Sequence, residues 1–362
     1  MPVSMGSTEK RDAFTARLGA AALATLELQT VYLGDRLGLY RALVDGGPAT
    51  APELAQRAGI HPRYAREWLE HQAVGAILDV DDVTAPADER RYMLPLGHQA
   101  VLIDPESLSL VGPYARFLIS SARVMPQLLE AYRSGDGVSW ADYGTDNVEA
   151  QEATNRPLYS KLMGDWLAAL PDIAARLRTG QGHVADIACG AGWSSIAIAR
   201  LFPGVEVDGI DADEASIARA KRNAADAGVD GRVTFLSANG AAARGQGRYD
   251  LVTIFEALHD MARPVEVLTT ARRLLAPGGA VLIADDRVAE QFTVPGDDRE
   301  RRSYGFSLTA CLPNGLFDKP SVGTGSVLRP AALEALGHDA GFSRVTRIPI
   351  ESNSFWFYRL DP

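Results

Sequence analysis

Val184-Ala185-Asp186-Ile187-Ala188-Cys189-Gly190-Ala191-Gly192 is the stretch whose reading decides the fold. A short apolar run ends there in small residues, and 193–201 then reads as a helix. Small side chains let a backbone approach a ligand closely, and a helix N-terminus presents N–H groups that have no partner within the helix. Outward from this point the chain alternates strand with helix. Apolar runs at 184–188, 205–210, 233–236, 251–255 and 281–284 are separated by helical segments at 193–201, 213–227 and 264–275. That rhythm implies a parallel sheet with helices on both faces. Two further strands, 344–350 and 355–360, are joined by only Glu351-Ser352-Asn353-Ser354. Four residues are too few for a crossover helix, so the last strand is expected to run antiparallel to its neighbour.

The rest of the chain has a different texture. At 362 residues it has room for two cores. Apolar content of 46% and charged content of 23% are ordinary for a globular protein. Residues 13–44 and 106–133 read as helices, as does 148–178 with breaks at Pro157 and Pro171. Between them, 52–58 and 63–73 form helix, turn and helix. Strands at 77–80 and 91–94 then flank a polar loop, which is the winged-helix pattern. Residues 1–98 hold ten Lys and Arg against thirteen Asp and Glu. Glu67 and Glu70 share the second helix with Arg63 and Arg66, so packing or dimerisation is a better reading of this module than DNA binding.

The formal charge of −10 gives no overall attraction to a phosphate backbone. No apolar stretch reaches membrane-spanning length. Residues 1–17 lack an apolar signal core, so no export is expected, and 1–8 read as a leader. Two distant cysteines, Cys189 and Cys311, and six scattered histidines offer no metal-ligand spacing. A cytoplasmic protein without a metal or a disulfide is the expectation.

Charge chooses the ligand of the glycine loop. A pyrophosphate would sit near Asp186, yet residues 182–198 contain no Lys or Arg. S-adenosylmethionine (SAM) has no phosphate and carries an ammonium and a sulfonium, which acidic surroundings favour. Residues 184–192 resemble the first motif of the class I SAM-dependent methyltransferases, with Ala188 where that family has glycine. Gly209-Ile210-Asp211 resembles its ribose-binding acid motif. Leu236-Ser237-Ala238-Asn239-Gly240 is similar to its adenine-contacting segment, with Asn239 in place of aspartate. Leu274-Leu275-Ala276-Pro277-Gly278-Gly279 looks like the turn before its fifth strand.

The resemblance implies a Rossmann-like seven-stranded α/β domain over 183–362, about half the chain. It implies SAM as cofactor and S-adenosylhomocysteine as product. Asp186, Ala188, Gly190, Gly192, Trp193, Asp211, Ala212, Asn239, Gly240, Phe255 and Glu256 are the expected cofactor contacts. The full chain resembles bacterial small-molecule methyltransferases laid out like plant-type O-methyltransferases. By that resemblance, residues 1–100 are a winged-helix dimerisation domain and 101–182 a helical linker and substrate lid. A homodimer acting on a small molecule of secondary metabolism follows, with neither nucleic acid nor membrane as partner.

Phe255-Glu256-Ala257-Leu258-His259-Asp260-Met261 follows the fourth strand, at the sheet edge where open α/β folds bind ligands. Histidine titrates near neutrality, so His259 is the natural general base for a substrate hydroxyl. The segment also resembles the His-Asp motif of plant-type O-methyltransferases, which makes His259 and Asp260 the catalytic pair; a helix-capping pair is the plainer alternative. Asp285 and Asp286 either orient His259, bind a substrate cation or begin a solvated loop. The long connection 285–328 is read as a substrate-facing insertion. Trp140, Tyr143, Tyr159, Trp166, Asp285, Tyr304 and Phe306 are the expected substrate contacts, each aromatic having ordinary core packing as its alternative. The charge run 297–302 reads as a solvated helix face. Two rival functions remain open at this level: a SAM-binding cyclase or rearrangement enzyme, and a SAM-sensing transcriptional regulator.

Overall fold

The computed structural model describes residues 6–362. The chain folds as two compact units that divide between Ile119 and Ser120, so the expected linker 101–182 is shared between them. Of the leader expected over 1–8, residues 1–5 lie outside the described residues, while Ser7 and Thr8 already belong to the first helix.

In the first unit, α1 (Ser7–Arg36), α2 (Leu39–Asp45), α3 (Ala51–Ala58) and α4 (Pro62–Val74) precede β1 (Asp79–Val80), β2 (Tyr92–Met93) and α5 (Leu96–Leu102). The boundaries of α3 follow from its sequence. Thr50 and Glu53 form a reciprocal capping box, and Gly59 ends the helix in the left-handed region. Tyr40, Leu54, Trp68, Leu69 and Tyr92 make the core. Inside it the Tyr40 hydroxyl donates to Gln72 Oε1 at 2.6 Å. The wing is shorter than expected, because the Ile77 and Leu78 N–H groups bond to Gln72 O and close α4 instead of joining a strand. On α4, Arg63 pairs with Glu67, and Arg66 with Glu70 at 3.2 Å. The two arginines that DNA would need are thus matched by their own helix.

The boundary between the units falls within α6 (Tyr114–Arg123). Helix was expected from 106, but side-chain turns at Asp104 and Ser107 hold 104–109 outside it. There follow α7 (Met125–Ser134), a 3-10 turn at Trp140–Tyr143, α8 (Thr145–Ala168) and α9 (Pro171–Leu177). Pro171 breaks the chain as expected; Pro157 does not, and sits buried inside an unbroken α8. A proline ring removes one N–H, a cost that the packing of this helix on the sheet offsets.

The seven-stranded sheet consists of β3 (His183–Ile187), β4 (Glu206–Asp211), β5 (Val233–Ser237), β6 (Tyr249–Phe255), β7 (Leu275–Asp286), β8 (Arg344–Ile348) and β9 (Phe355–Asp361), in the order β5-β4-β3-β6-β7-β9-β8. The strands from β5 to β7 are parallel, and β9 pairs antiparallel with β7 and β8, as its short connection demands. Helices α10 (Trp193–Leu201), α11 (Glu214–Asp226) and α12 (Pro264–Leu274) are the crossovers. After β7 come α13 (Asp298–Phe306), a π-helical turn at Ser307–Cys311, α14 (Leu312–Phe317) and α15 (Pro330–Asp339). One core joins α8 to α11 with one sheet face, and another joins α12 and α15 with the opposite face.

Two expectations are corrected here. Trp166, expected as a substrate contact, is a core residue. It is 2% exposed and packs on Phe255, Phe355 and Phe357, a position where truncation of a large ring typically costs about 3–5 kcal/mol. The charge run at 297–302 is not wholly solvated either. Glu300 is 4% exposed and pairs with Arg329 at 2.6 Å, a partner 29 residues away that no local pattern announces. No helix among the described residues is long and apolar enough to cross a membrane.

Candidate active site

Chain connections leave β3 and β6 in opposite directions, so a crevice opens between their C-terminal ends. A cavity of about 450 Å³ lies there. Its floor is the loop after β3, with Ala188, Cys189, Gly190 and Ala191. Ala188 has φ +59° and Gly190 φ +52°. The Ala188 and Cys189 N–H groups both donate to Ile210 O, which folds the loop back over β4. A Cβ on Gly190 would meet no protein atom within 4 Å, so the room beside this residue belongs to whatever enters the cavity. Gly192 is different. Its φ is +82°, and a Cβ would lie 2.6 Å from Phe235 Cζ, so it serves packing beneath the loop and does not line the cavity.

Asp186, expected as a cofactor contact, likewise does not line the cavity. It is 1% exposed and accepts hydrogen bonds from Ser194 Oγ, Ser195 Oγ and Thr253 Oγ1 at 2.6, 2.6 and 2.7 Å. It fastens the strand, loop and helix together, and burial raises its pKa despite the three hydroxyls. Asp211 does reach the cavity wall, where Oδ2 accepts from Gly190 N and Oδ1 from Asp213 N, both at 2.8 Å. Ala188, Gly190, Trp193, Asp211, Ala212, Asn239, Gly240, Phe255 and Glu256 all line the cavity. The Asn239 amide oxygen accepts from Ala241 N at 2.9 Å. That oxygen is therefore committed in part to its own turn, and the amide NH2 is the freer group for a base.

Glu256 has φ +50° and accepts from Gln151 Nε2 at 3.2 Å. Burial, and then the charge of Asp286, push its pKa up to about 8. The roof is α8, through Val148, Gln151, Glu152, Asn155 and Tyr159. Sequence reasoning missed its polar residues, whose spacing on a helix looks like that of any solvated face. Of the expected substrate contacts, Trp140 and Tyr159 line the cavity. Tyr143, Trp166, Asp285, Tyr304 and Phe306 do not. The Tyr143 hydroxyl is turned to Thr309 O, and Tyr304 lies 37% exposed beside Arg329. The insertion contributes Asn314, Phe317 and Asp318 instead, with Met261 and Arg263 from the segment after β6.

His259 stands on a 3-10 turn after β6, 4% exposed and just behind the wall that Asp260 forms. Its Nδ1 meets Asp285 Oδ1 at 2.6 Å, and Nε2 lies 3.4 Å from Asp260 Oδ1. Of the three readings of Asp285, the orienting one matches this geometry. Burial opposes charging of His259, but Asp285 and Asp260 outweigh it and hold its pKa well above the usual histidine value. Cys311, which the spacing did not connect to this pair, joins it through the π-helical turn. The ligand-type atoms of His259, Asp260 and Cys311 lie within 4.8 Å of one another, and among the described residues this is the one group that could seat a metal by proximity.

The cavity is acidic. Asp211, Asp213, Asp260 and Asp318 line it against one cation, Arg263, which pairs with Glu266 at 3.1 Å; of the two glutamates on the wall, Glu152 is matched by Arg219 and Glu256 is pushed toward its neutral form by burial. Such a lining repels a pyrophosphate and suits a ligand bearing an ammonium and a sulfonium.

Fold and site together are those of an open α/β domain that binds a ligand in the crevice at the switch point of its sheet. Residues 179–307 match the model of a methyltransferase domain, and residues 24–104 that of an Rv2258c-like winged HTH domain. The ubiquinone biosynthesis O-methyltransferase of Pseudomonas paraeruginosa is 28% identical over 199 residues, 53% of this chain and 75% of that protein. The enzyme of the same name from Caulobacter sp. (strain K31) is 38% identical over 99 residues, and the match spans 27% of this chain and 38% of that protein's length. Mitomycin 7-O-methyltransferase has the same fold, with a TM-score of 0.68 at 20% identity over 98% of this chain and 99% of that one. Human N-acetylserotonin methyltransferase, solved with SAM, matches with a TM-score of 0.68 at 18% identity over 99% of both chains. The chain thus carries a methyltransferase domain, preceded in sequence by a winged HTH domain, and shares its fold with solved O-methyltransferases.

Proposed function

We propose that this enzyme transfers the methyl group of SAM to a hydroxyl oxygen of a small aromatic metabolite, with His259 as the general base. The observation that carries the reading is the fixed imidazole. Nδ1 is committed to Asp285, so Nε2 is the nitrogen left to take a proton, behind the carboxylate that faces the cavity. When bound, SAM supplies an electrophilic methyl on a sulfonium. Asp211 and Asn239 would hold its ribose and adenine, and Glu256 its positive end. Asp260 receives the substrate hydroxyl at the wall, and His259 holds the proton that leaves it. Trp140, Met261 and Phe317 offer a soft, flat surface for an aromatic ring. The O-methyltransferase names of the relatives support oxygen as the acceptor atom, and the mitomycin enzyme supports secondary metabolism. The test is incubation with SAM and a panel of hydroxylated aromatics. Methylated product with equimolar S-adenosylhomocysteine supports the proposal; product without methyl gain, or none from any phenol, contradicts it.

A raised histidine pKa sets the pH response. The base must be neutral to accept a proton, and its charged form is the one stabilised by Asp285 and Asp260. kcat/KM is therefore expected to climb with pH from neutrality into the alkaline range. In Asp285→Asn the climbing limb moves to lower pH, since the largest charge holding the imidazolium is gone. A profile flat from pH 6 upward in the parent enzyme would contradict the assignment.

We further propose a homodimer through the first unit, in the cytoplasm. The 30-residue α1 buries only Val31 and Gly34, while Phe14, Leu18, Leu23 and Leu26 are each more than half exposed. Large apolar side chains exposed in that number along one helix are costly to leave in water. Two free thiols suit a reducing compartment. Leu18→Glu with Leu26→Glu should convert a dimer to a monomer in light scattering; a parent protein that is already monomeric at micromolar concentration refutes the proposal.

A further inference from the structure

The roof helix and the cofactor loop are joined at one carboxylate. Glu152 of α8 is largely buried and accepts from Arg219 Nε at 2.5 Å, Asn223 Nδ2 at 2.7 Å and Trp193 Nε1 at 3.2 Å. Arg219 and Asn223 lie on α11, and Trp193 opens α10. Asn223 Nδ2 also donates to Ala191 O, in the loop that floors the cavity, at 2.9 Å. Arg219 is held a second time by Glu149, at 3.2 Å, and the Arg156 guanidinium lies 4.4 Å from the Trp193 ring centre.

We infer that Glu152 is a positioning residue for the cofactor loop, acting through Asn223 on Ala191 and through Trp193 on the start of α10. A planar carboxylate with two oxygens accepts three donors from two helices and fixes their mutual spacing, and charge-assisted bonds of this kind are the stronger ones. The Asn223 amide has two N–H groups and no other route to satisfy both within this cluster. One goes to Glu152 and one to the loop carbonyl, so a shift of α8 is felt at Ala191. Gly190, the loop residue before Ala191, sits in the left-handed region with no protein atom within 4 Å of a Cβ position, so it has little packing of its own to define it. The loop borrows its rigidity from α8. Polar contacts formed before the ligand arrives spare the ordering cost at binding, which is where affinity is gained.

This inference rests on the cofactor assignment above and is tested apart from it. Calorimetry with SAM is run on the parent enzyme, Glu152→Gln, Asn223→Ala and the double variant. The parent must take up SAM; if it does not, the cofactor assignment fails first. Glu152→Gln loses the Arg219 charge partner and sets its own amide against the donors, and about a tenfold weaker Kd is expected. At saturating SAM, kcat is expected to fall by no more than about threefold, because Glu152, though part of the roof, is bonded to Arg219, Asn223 and Trp193, so the loss falls chiefly on SAM affinity. The decisive readout is the double variant, whose loss of SAM affinity should be smaller than the sum of the two single losses, since the path through Asn223 is cut by both changes and only the path through Trp193 by Glu152→Gln alone. Unchanged affinity in Glu152→Gln overturns the inference. So do additive losses in the double variant, which would make Glu152 a direct ligand of the cofactor. Thermal unfolding of each variant separates these outcomes from loss of the fold.

Discussion

His259→Ala is expected to lower turnover by about a hundredfold while SAM affinity stays within a factor of about two. The size follows from the role. A positioned base removes the hydroxyl proton as the new bond forms, and losing one typically costs two to four orders of magnitude; an acidic phenol that is partly ionised in solution needs it least. The split between turnover and affinity follows from the geometry, because His259 does not line the cavity that takes the cofactor. It stands behind Asp260, tied to Asp285 at 2.6 Å. Steady-state kinetics and calorimetry on the same preparation check both halves. Equal turnover would leave His259 as a buried partner of Asp285 with no part in proton transfer, and a parallel collapse of SAM binding would make it a structural residue.

Gly190→Val should weaken SAM binding by about a hundredfold, roughly the 3 kcal/mol that forced overpacking against a ligand costs. Two glycines separate cause from effect here. At Gly192 an added Cβ runs into Phe235 and Ala220, so any substitution damages the fold beneath the loop. At Gly190 it meets no protein atom, and the penalty within the protein is the left-handed backbone at φ +52°, of order 1–2 kcal/mol for a residue with a side chain. The loss of affinity therefore reports the ligand. A variant that unfolds slightly earlier yet binds SAM as the parent does would show that the loop is not the cofactor floor.

The sheet was legible in the sequence because parallel strands buried on both faces read as near-continuous apolar runs. The runs at 184–188, 205–210 and 251–255 fall on β3, β4 and β6 to within two residues. The antiparallel last strand followed from the length of one four-residue connection. The wing was less legible, since the backbone partners of Ile77 and Leu78 are decided by the end of α4 and not by their own side chains. The residues on the loops after strands could be expected to line the cavity because topology puts such loops around the crevice. Asp186, near the end of β3, and Gly192, in the loop after it, turn inward, and sequence has no sign of which way such a residue faces. Glu152 and Gln151 were invisible for the opposite reason. Polar residues on a helix suggest water until a second element is known to cover them. Trp166 and Tyr143 illustrate the same limit among the aromatics, since a flat ring fits a core and a pocket equally well.

The central claim is that the acidic crevice between β3 and β6 takes an adenosyl sulfonium and refuses a phosphorylated dinucleotide. Titration calorimetry of the full chain with SAM, and separately with NAD, tests it most directly. Saturable uptake of SAM with no heat from NAD is the predicted result. Uptake of NAD, with none of SAM, would contradict it.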